Sequence, residues 1–273
     1  MLLATLHPAL CHGLSRVGAV APGYRADCVL LDDLGSFRAS LVVKDGRVVA
    51  VDGVAAPFEV APAPAWVRDS VRIAPLPPGA FRLEQRGQRV RAVGLVRDQI
   101  WTEHLVLAPS VSDGQVVADA DRDLAKIAVV ERHHATGRIG LGLVRGFGLR
   151  RGAMATTVAH DAHNIVAVGM SDEDLVSCVE RLARIGGGIA IYEDGTLRAE
   201  LALPIAGLMS EEPAGAVVER LDELHSVVRG LGSTLAAPFM TLSFLALSVI
   251  PELKITDRGL VDVERFELVP FDA

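Results

Sequence analysis

Residues 52–80 hold six of the chain's fourteen prolines: Pro57, Pro62, Pro64, Pro75, Pro77 and Pro78. Proline has no amide proton and a fixed φ, so neither a helix interior nor a central strand accepts such a density. The stretch therefore reads as a linker that forces the sequence before it and after it into separate packing blocks. At roughly 150 residues per domain, 273 residues predict about two domains.

The periodicities on either side predict a mixed fold. Leu2, Leu3, Leu6, Leu10 and Leu14 recur at near-helical spacing and predict a short helix closed by Gly13 and Gly18. A strand is predicted at 28–31. Strands at 41–43 and 48–51 flank Lys44-Asp45-Gly46-Arg47, where Asp-Gly supplies the positive φ of a hairpin turn. Beyond the prolines, strands are predicted through 80–96, 102–107 and 124–131. The glycine-rich stretch from Gly137 to Gly152 carries G-x-G-x-x-x-G, one residue too long for a dinucleotide fingerprint, and reads as a loop or kinked strand. Short strands at 156–159 and 165–168 bracket a polar turn. Ser171, with Asp174 three residues on, is an N-cap signal for a helix ended by Gly186-Gly187-Gly188. Strands at 189–192 and 197–203 bracket Asp194-Gly195. A helix over 214–229 faces Val217, Leu221, Leu224 and Val228 inward, and Ser210 caps its start. The fold class is α+β, with mixed, mostly antiparallel sheets and helices.

Composition narrows the function classes. Half the residues are hydrophobic, enough for a sizeable core, and a net charge of −7 argues against a general nucleic-acid binder. The segment from Gly230 to Pro251 carries no charge, yet its two prolines, serines and threonines predict buried core rather than a membrane span. Met154, Met209 and Met240 are assigned to the core. Three widely spaced cysteines, Cys11, Cys28 and Cys178, form no zinc pattern, and Cys178 reads as a buried thiol. With no basic leader at the start, a reduced, cytoplasmic protein is expected.

Chemistry concentrates in two clusters. The denser is His160, Asp161, His163 and Asn164. Histidine serves as acid, base or metal ligand near neutral pH, and an adjacent carboxylate fixes its tautomer. The same residues also make a polar turn whose Asp and Asn cap backbone amides. Spacing leaves both readings open. The second cluster is Glu131-Arg132-His133-His134, read as a strand end with the two histidines on opposite faces. Should the clusters meet, three histidines with Asp and Glu would suffice for a metal or purine pocket.

Taken together, these motifs resemble bacterial adenine deaminase, of the amidohydrolase superfamily. The resemblance is carried by Glu131–His134, Gly146-Phe147-Gly148, His160–Ile165, Ser171–Asp174, Leu203–Ser210, Pro238–Leu247, Pro251–Lys254 and Thr256–Leu260. Ala4–Ala9, with Gly18, Gly23, Ala26 and Asp27, resembles the end of an amidohydrolase barrel returning to its flanking β-domain. The resemblance implies a remnant of the last barrel helix over 1–16, a flanking β-domain segment over 17–56, a linker over 57–79 and the family's C-terminal domain over 80–273. It implies a hydrolytic deamination of adenine to hypoxanthine and ammonia, with Mn2+ or Fe2+ held in a barrel. The barrel ligands have no counterpart in this sequence, so no metal ligand is assigned.

The implied candidates are His160, Asp161 and His163 as catalytic residues. Glu131, His133, His134 and Asn164 are the substrate-binding candidates. The expected partners are adenine, a separate amidohydrolase barrel chain, and further copies of the chain in a homo-oligomer. Two other readings stand beside this one: a non-catalytic purine-binding or oligomerisation module, and an independent metal site built by His133, His160, Asp161 and His163.

Overall fold

The structure is a computed structural model that describes all 273 residues. The chain divides into two compact units, Met1–Pro62 and Ala63–Ala273.

In the first unit, a 3-10 turn at Leu2–Ala4 precedes α1 (Leu6–Cys11). The single helix predicted over 2–14 is therefore corrected to a turn and a short helix. Pro8 explains the break, because a helix continuing through Ala4 would drive the proline ring into that residue's carbonyl. Four antiparallel strands follow: β1 (Cys28–Leu31), β2 (Ala39–Lys44), β3 (Arg47–Val51) and β4 (Val54–Ala55). Asp45 and Gly46 both take positive φ in the β2–β3 hairpin, as the Asp-Gly signal required.

The second unit is built on an eight-stranded sheet. Its elements begin with β5 (Leu83–Glu84), β6 (Val90–Leu95), β7 (Thr102–Leu107), β8 (Ser110–Ser112) and β9 (Gln115–Val117). Next come β10 (Leu124–Val130), β11 (Ile139–Arg145), β12 (Ala153–Thr156), β13 (Ile165–Gly169) and α2 (Asp172–Ile185). The chain closes with β14 (Gly188–Glu193), β15 (Thr196–Ala202), α3 (Ala214–Gly230), α4 (Pro238–Leu245), β16 (Leu253–Thr256), β17 (Gly259–Asp262) and β18 (Glu267–Val269).

The large sheet runs β15-β14-β12-β13-β10-β11-β6-β7, and only the β6–β11 pair is parallel. The mixed, mostly antiparallel α+β class is thus what the chain adopts. All seven residues of β10 are buried, which places this strand at the heart of the unit. One face carries α2, whose Leu175, Cys178, Val179 and Leu182 pack against Ala153, Ala155, Ala167 and Ala190. Ser171 caps α2 by accepting from the Asp174 amide at 3.1 Å. The other face packs Ile127, Met154, Val166 and Val168 against α3, α4 and the β16–β17 hairpin. No helix is long and apolar enough to cross a membrane.

Several expectations are corrected. The strand-rich segment predicted through 80–96 holds two strands, parted at the polar run around Gly87. The hairpin β8–β9, turning at Asp113-Gly114, went unread. Met209 and Met240 are 56% and 54% exposed, while Met154 is buried. Ser210 does not cap α3: Pro213 occupies the N-cap position, and the Ser210 hydroxyl accepts from the Glu212 amide instead.

Within the glycine stretch, Ile139–Arg145 form a regular strand, β11, while Gly137, Gly146, Gly148 and Gly152 lie in loops at positive φ. The glycines of β11 serve the next layer. A Cβ on Gly140 would stand 1.8 Å from the Thr256 carbonyl oxygen, so only glycine lets the β16–β17 hairpin lie on β11. At Gly142 a Cβ would meet side chains alone, Leu260 at 3.0 Å, Ile255 at 3.4 Å and Ile127 at 3.6 Å. G140A should therefore destabilise the protein by about 3 kcal/mol or more, and G142A by clearly less. Denaturant melts of both variants check the order; equal losses would refute this account of the glycines.

Candidate functional site

Two ladders of the sheet deliver the two polar clusters to one place. Val130 at the end of β10 is the register partner of Ile165 at the start of β13. The residues that follow β10 therefore adjoin those that precede β13. The strand stops at Val130, so His133 and His134 lie in a loop and not on opposite faces of a strand.

Glu131 organises that loop. Its carboxylate accepts from the amides of His133 (2.6 Å), His134 (2.8 Å) and Thr136 (2.9 Å) and from the Thr136 hydroxyl (2.9 Å). Burial pushes this carboxyl up. The amides of Thr136, His134 and His133 and the hydroxyl of Thr136 outweigh burial and hold it at about 2. His134 gives the loop its amide and leaves its ring exposed.

Arg132 ties the loop to the turn. It is 2% exposed and faces no carboxylate. Its guanidinium donates to the backbone carbonyls of His163, Ser70 (3.4 Å) and Ala206 (3.1 Å). Its amide donates to Asn164 Oδ1 at 3.4 Å. The ring of His133 adds a further tie, with Nε2 donating to the Ala162 carbonyl at 2.7 Å.

The turn itself is clamped at His163, which takes a positive φ of 49°. Its amide donates to the Ala159 carbonyl (2.7 Å), and the Ala159 amide donates back to His163 Nδ1 (3.2 Å). A nitrogen that accepts carries no proton, so the neutral ring holds its proton on Nε2. Burial lowers the His163 pKa, and the positive charge of Arg132 lowers it further. The ring is accordingly neutral near pH 7. His160 stands edge-on to Phe244 of α4, with centroids 4.7 Å apart, and edge-on to His163 at 6.1 Å. Asp161 is exposed.

A cavity of about 170 Å³ opens over this turn. His160–Asn164 form one wall, residues 246–249 after α4 another, and Thr256 and Asp257 from the β16–β17 turn a third. Asp257 is the member that the sequence reasoning missed. It accepts from Asn164 Nδ2 (3.3 Å) and from Arg138 Nε (2.6 Å). Its only sequence signal was its place in the Thr256–Leu260 motif.

The donor set does not suit a metal ion. His163 Nδ1 is taken by an amide, His133 Nε2 donates to a carbonyl, and the Glu131 and Asp257 carboxylates are already engaged. No three or more His, Cys, Asp or Glu side chains converge as metal ligands. The independent metal site of His133, His160, Asp161 and His163 therefore has no converged ligand cluster behind it. What the arrangement offers is the imidazoles of His160 and His163 and the anchored Asn164 amide around a small, mostly apolar pocket.

This architecture is that of a mixed α+β domain with a histidine turn at the rim of its main sheet. Residues 99–267 match the adenine deaminase C-terminal domain family, and residues 1–53 match the amidohydrolase family. The chain belongs to the adenine deaminase C-terminal domain family. It is 49% identical over 269 residues to an adenine deaminase of Methanothrix thermoacetophila. It is 46% identical over 269 residues to adenine deaminase 2 of Carboxydothermus hydrogenoformans, and 48% over 267 to the Cereibacter sphaeroides enzyme. Each match covers 98% of this chain and 47% of the relative. The chain thus spans about half the length of the curated relatives it matches.

The Glu131 geometry makes a stability prediction. E131Q keeps the shape but removes the charge that four donors address, so it should cost about 2 kcal/mol at neutral pH. The folded carboxyl titrates near 2 rather than its ordinary 4.5, so the stabilisation is complete above pH 4.5 and fades as the pH falls through 2. The gap between wild type and E131Q in urea melts should therefore close on acidification. A gap unchanged between pH 7 and 3 would refute it.

Proposed function

We propose that this chain supplies one wall of the purine site of an adenine deaminase, and that turnover needs an amidohydrolase barrel. The barrel carries the divalent metal, Mn2+ or Fe2+, in the same or in another polypeptide. The observation that carries the reading is the joining of two motifs, Glu131–His134 and His160–Asn164, by hydrogen bonds beside a cavity that the second of them lines, in a chain of this family. The reaction adds water at carbon 6 of adenine and expels ammonia to leave hypoxanthine.

Within that reaction, the residues here bind and orient. The Nε2 proton of His163 is a fixed donor for a purine ring nitrogen, because Nδ1 is held by Ala159. His160 offers a second imidazole held against Phe244. Asp161, exposed at the rim, is the carboxylate free to take a proton. Glu131, Arg132 and Asn164 act as positioning residues, since their polar atoms are spent on the loop and the turn. At about 170 Å³ the cavity lies below the ~300 Å³ of an ordinary ligand pocket. The three free thiols suit a reducing, cytoplasmic setting for purine metabolism.

A second reading has its own observation. Leu2, Leu3, Leu10 and Leu14 are 57–82% exposed, an apolar set that favours association. On that reading the chain is a non-catalytic oligomerisation or purine-binding module, and the partner is a second copy.

Ammonia release separates the two. The chain with Mn2+ and adenine should release none, and a separately expressed barrel segment from a relative should restore turnover. H163A in that mixture should lower kcat/KM at least tenfold while circular dichroism shows the fold retained. Turnover by the chain alone, no gain on adding it to the barrel, or an unchanged rate in H163A would each overturn the proposal.

A further inference from the structure

We propose that the cavity floored by Lys254 is a binding site for a small organic carboxylate with an apolar or aromatic body. This site is separate from the histidine turn and does not rest on the proposed deamination.

The three lysines of the chain show what is unusual here. Lys44 is exposed and pairs with Asp27 at 2.7 Å. Lys126 is buried, and it pairs with Asp172 at 2.6 Å while also donating to the Phe81 carbonyl. Lys254, on β16, is fully buried and has no carboxylate partner. Its Nζ makes one hydrogen bond, to the Ile100 carbonyl at 2.9 Å. An ammonium has three donors, so two remain unspent. A buried charge without a counter-ion is costly unless a partner arrives.

A space for that partner adjoins the amine. A cavity of about 290 Å³ reaches Lys254, walled by Leu235, Met240 and Phe244 on one side and Ile100 and Trp101 on the other. Ile100, Trp101 and Met240 are 45–54% exposed, so the mouth is open. Apolar walls around one cation select a ligand with a matching body and a single negative head. An ion pair formed there is strengthened by exclusion of water.

The other charged groups near β16 are engaged elsewhere. Asp98 at the rim lies beside Arg97 at 3.7 Å. Glu252 accepts from the His104 amide, and the His104 ring faces Asp262, which also neighbours Arg265. On the strands packed against β16, Arg91 donates to the carbonyls of Pro270 and Asp272, while Glu103 and Arg145 are exposed. None supplies the missing anion. Burial pushes the Lys254 amine down to about 8, so at pH 7 it is charged, and at pH 10 the free amine prevails.

The chain has two tryptophans, and W66F leaves Trp101 at the cavity mouth as the sole indole reporter. Benzoate is the probe, titrated against the full chain with Trp101 emission as the readout. A saturable change is expected, with acetate and benzyl alcohol each at least tenfold weaker. Benzoate binding should weaken at least tenfold between pH 7 and pH 10. K254M, which removes the charge at similar volume, should melt no lower than its parent and lose the response. The ligand series and pH profile are read on the lysine-bearing protein, so they stand even if K254M misfolds. No saturable benzoate response, benzyl alcohol binding as well as benzoate, pH-independent affinity, or undiminished binding by a folded K254M would each overturn the site.

Discussion

The structure of the larger unit depends on one strand. β10 is buried along all seven residues, and its ladders to β11 and β13 hold the centre of the eight-stranded sheet. A strand buried on both faces has only one register that keeps its apolar residues covered and its amides paired. That register sets Val130 opposite Ile165, and the pairing alone decides that the 131–134 loop meets the 160–164 turn.

Once they meet, two buried charges hold the junction, and neither compensates the other. Glu131 is an anion satisfied by amides and a hydroxyl. Arg132 is a cation satisfied by carbonyls. Glu131 spreads its charge over the donors of its own loop and Arg132 over carbonyls of three segments, which offsets desolvation without an ion pair. This arrangement has a geometric effect that a salt bridge would lack. The Arg132 fork reaches residues 70, 163 and 206, so three separate chain segments are fixed against one planar group. Gly207, at φ 70°, leaves the room: a Cβ there would stand 2.9 Å from the guanidinium.

Much of this was legible in the sequence where the signal was local. The Asp-Gly hairpin at 45–46 and the Ser171 cap of α2 each rest on a few adjacent residues whose φ preference or side-chain oxygen dictates the turn. The histidine turn was legible as a polar break between two apolar strands. The signals that failed share a cause. Gly140 is glycine because of a hairpin that begins more than a hundred residues later, a cause that the local reading as a loop or kinked strand does not contain. Met209 and Met240 have the hydropathy of core residues, but exposure is settled by what other elements cover. Pro8 is itself the local signal that parts the leucine-spaced stretch into a turn and a shorter helix.

The site shows the same division more sharply. His160, Asp161, His163 and Asn164 were visible as a group because they are contiguous. Asp257 was not, because it reaches Asn164 across 93 residues and is anchored by Arg138 from a third segment. Its role in the cavity is nevertheless strongly constrained. With one oxygen on Asn164 and the other on Arg138, the carboxylate fixes the Asn164 amide by its nitrogen end and turns its oxygen toward the Arg132 amide. The side-chain amide thus bridges the two motifs with each of its ends assigned. The cavity wall is therefore set by partners that spacing along the chain could not reveal, with the His163 ring held by the Ala159 amide and the His160 ring set against Phe244.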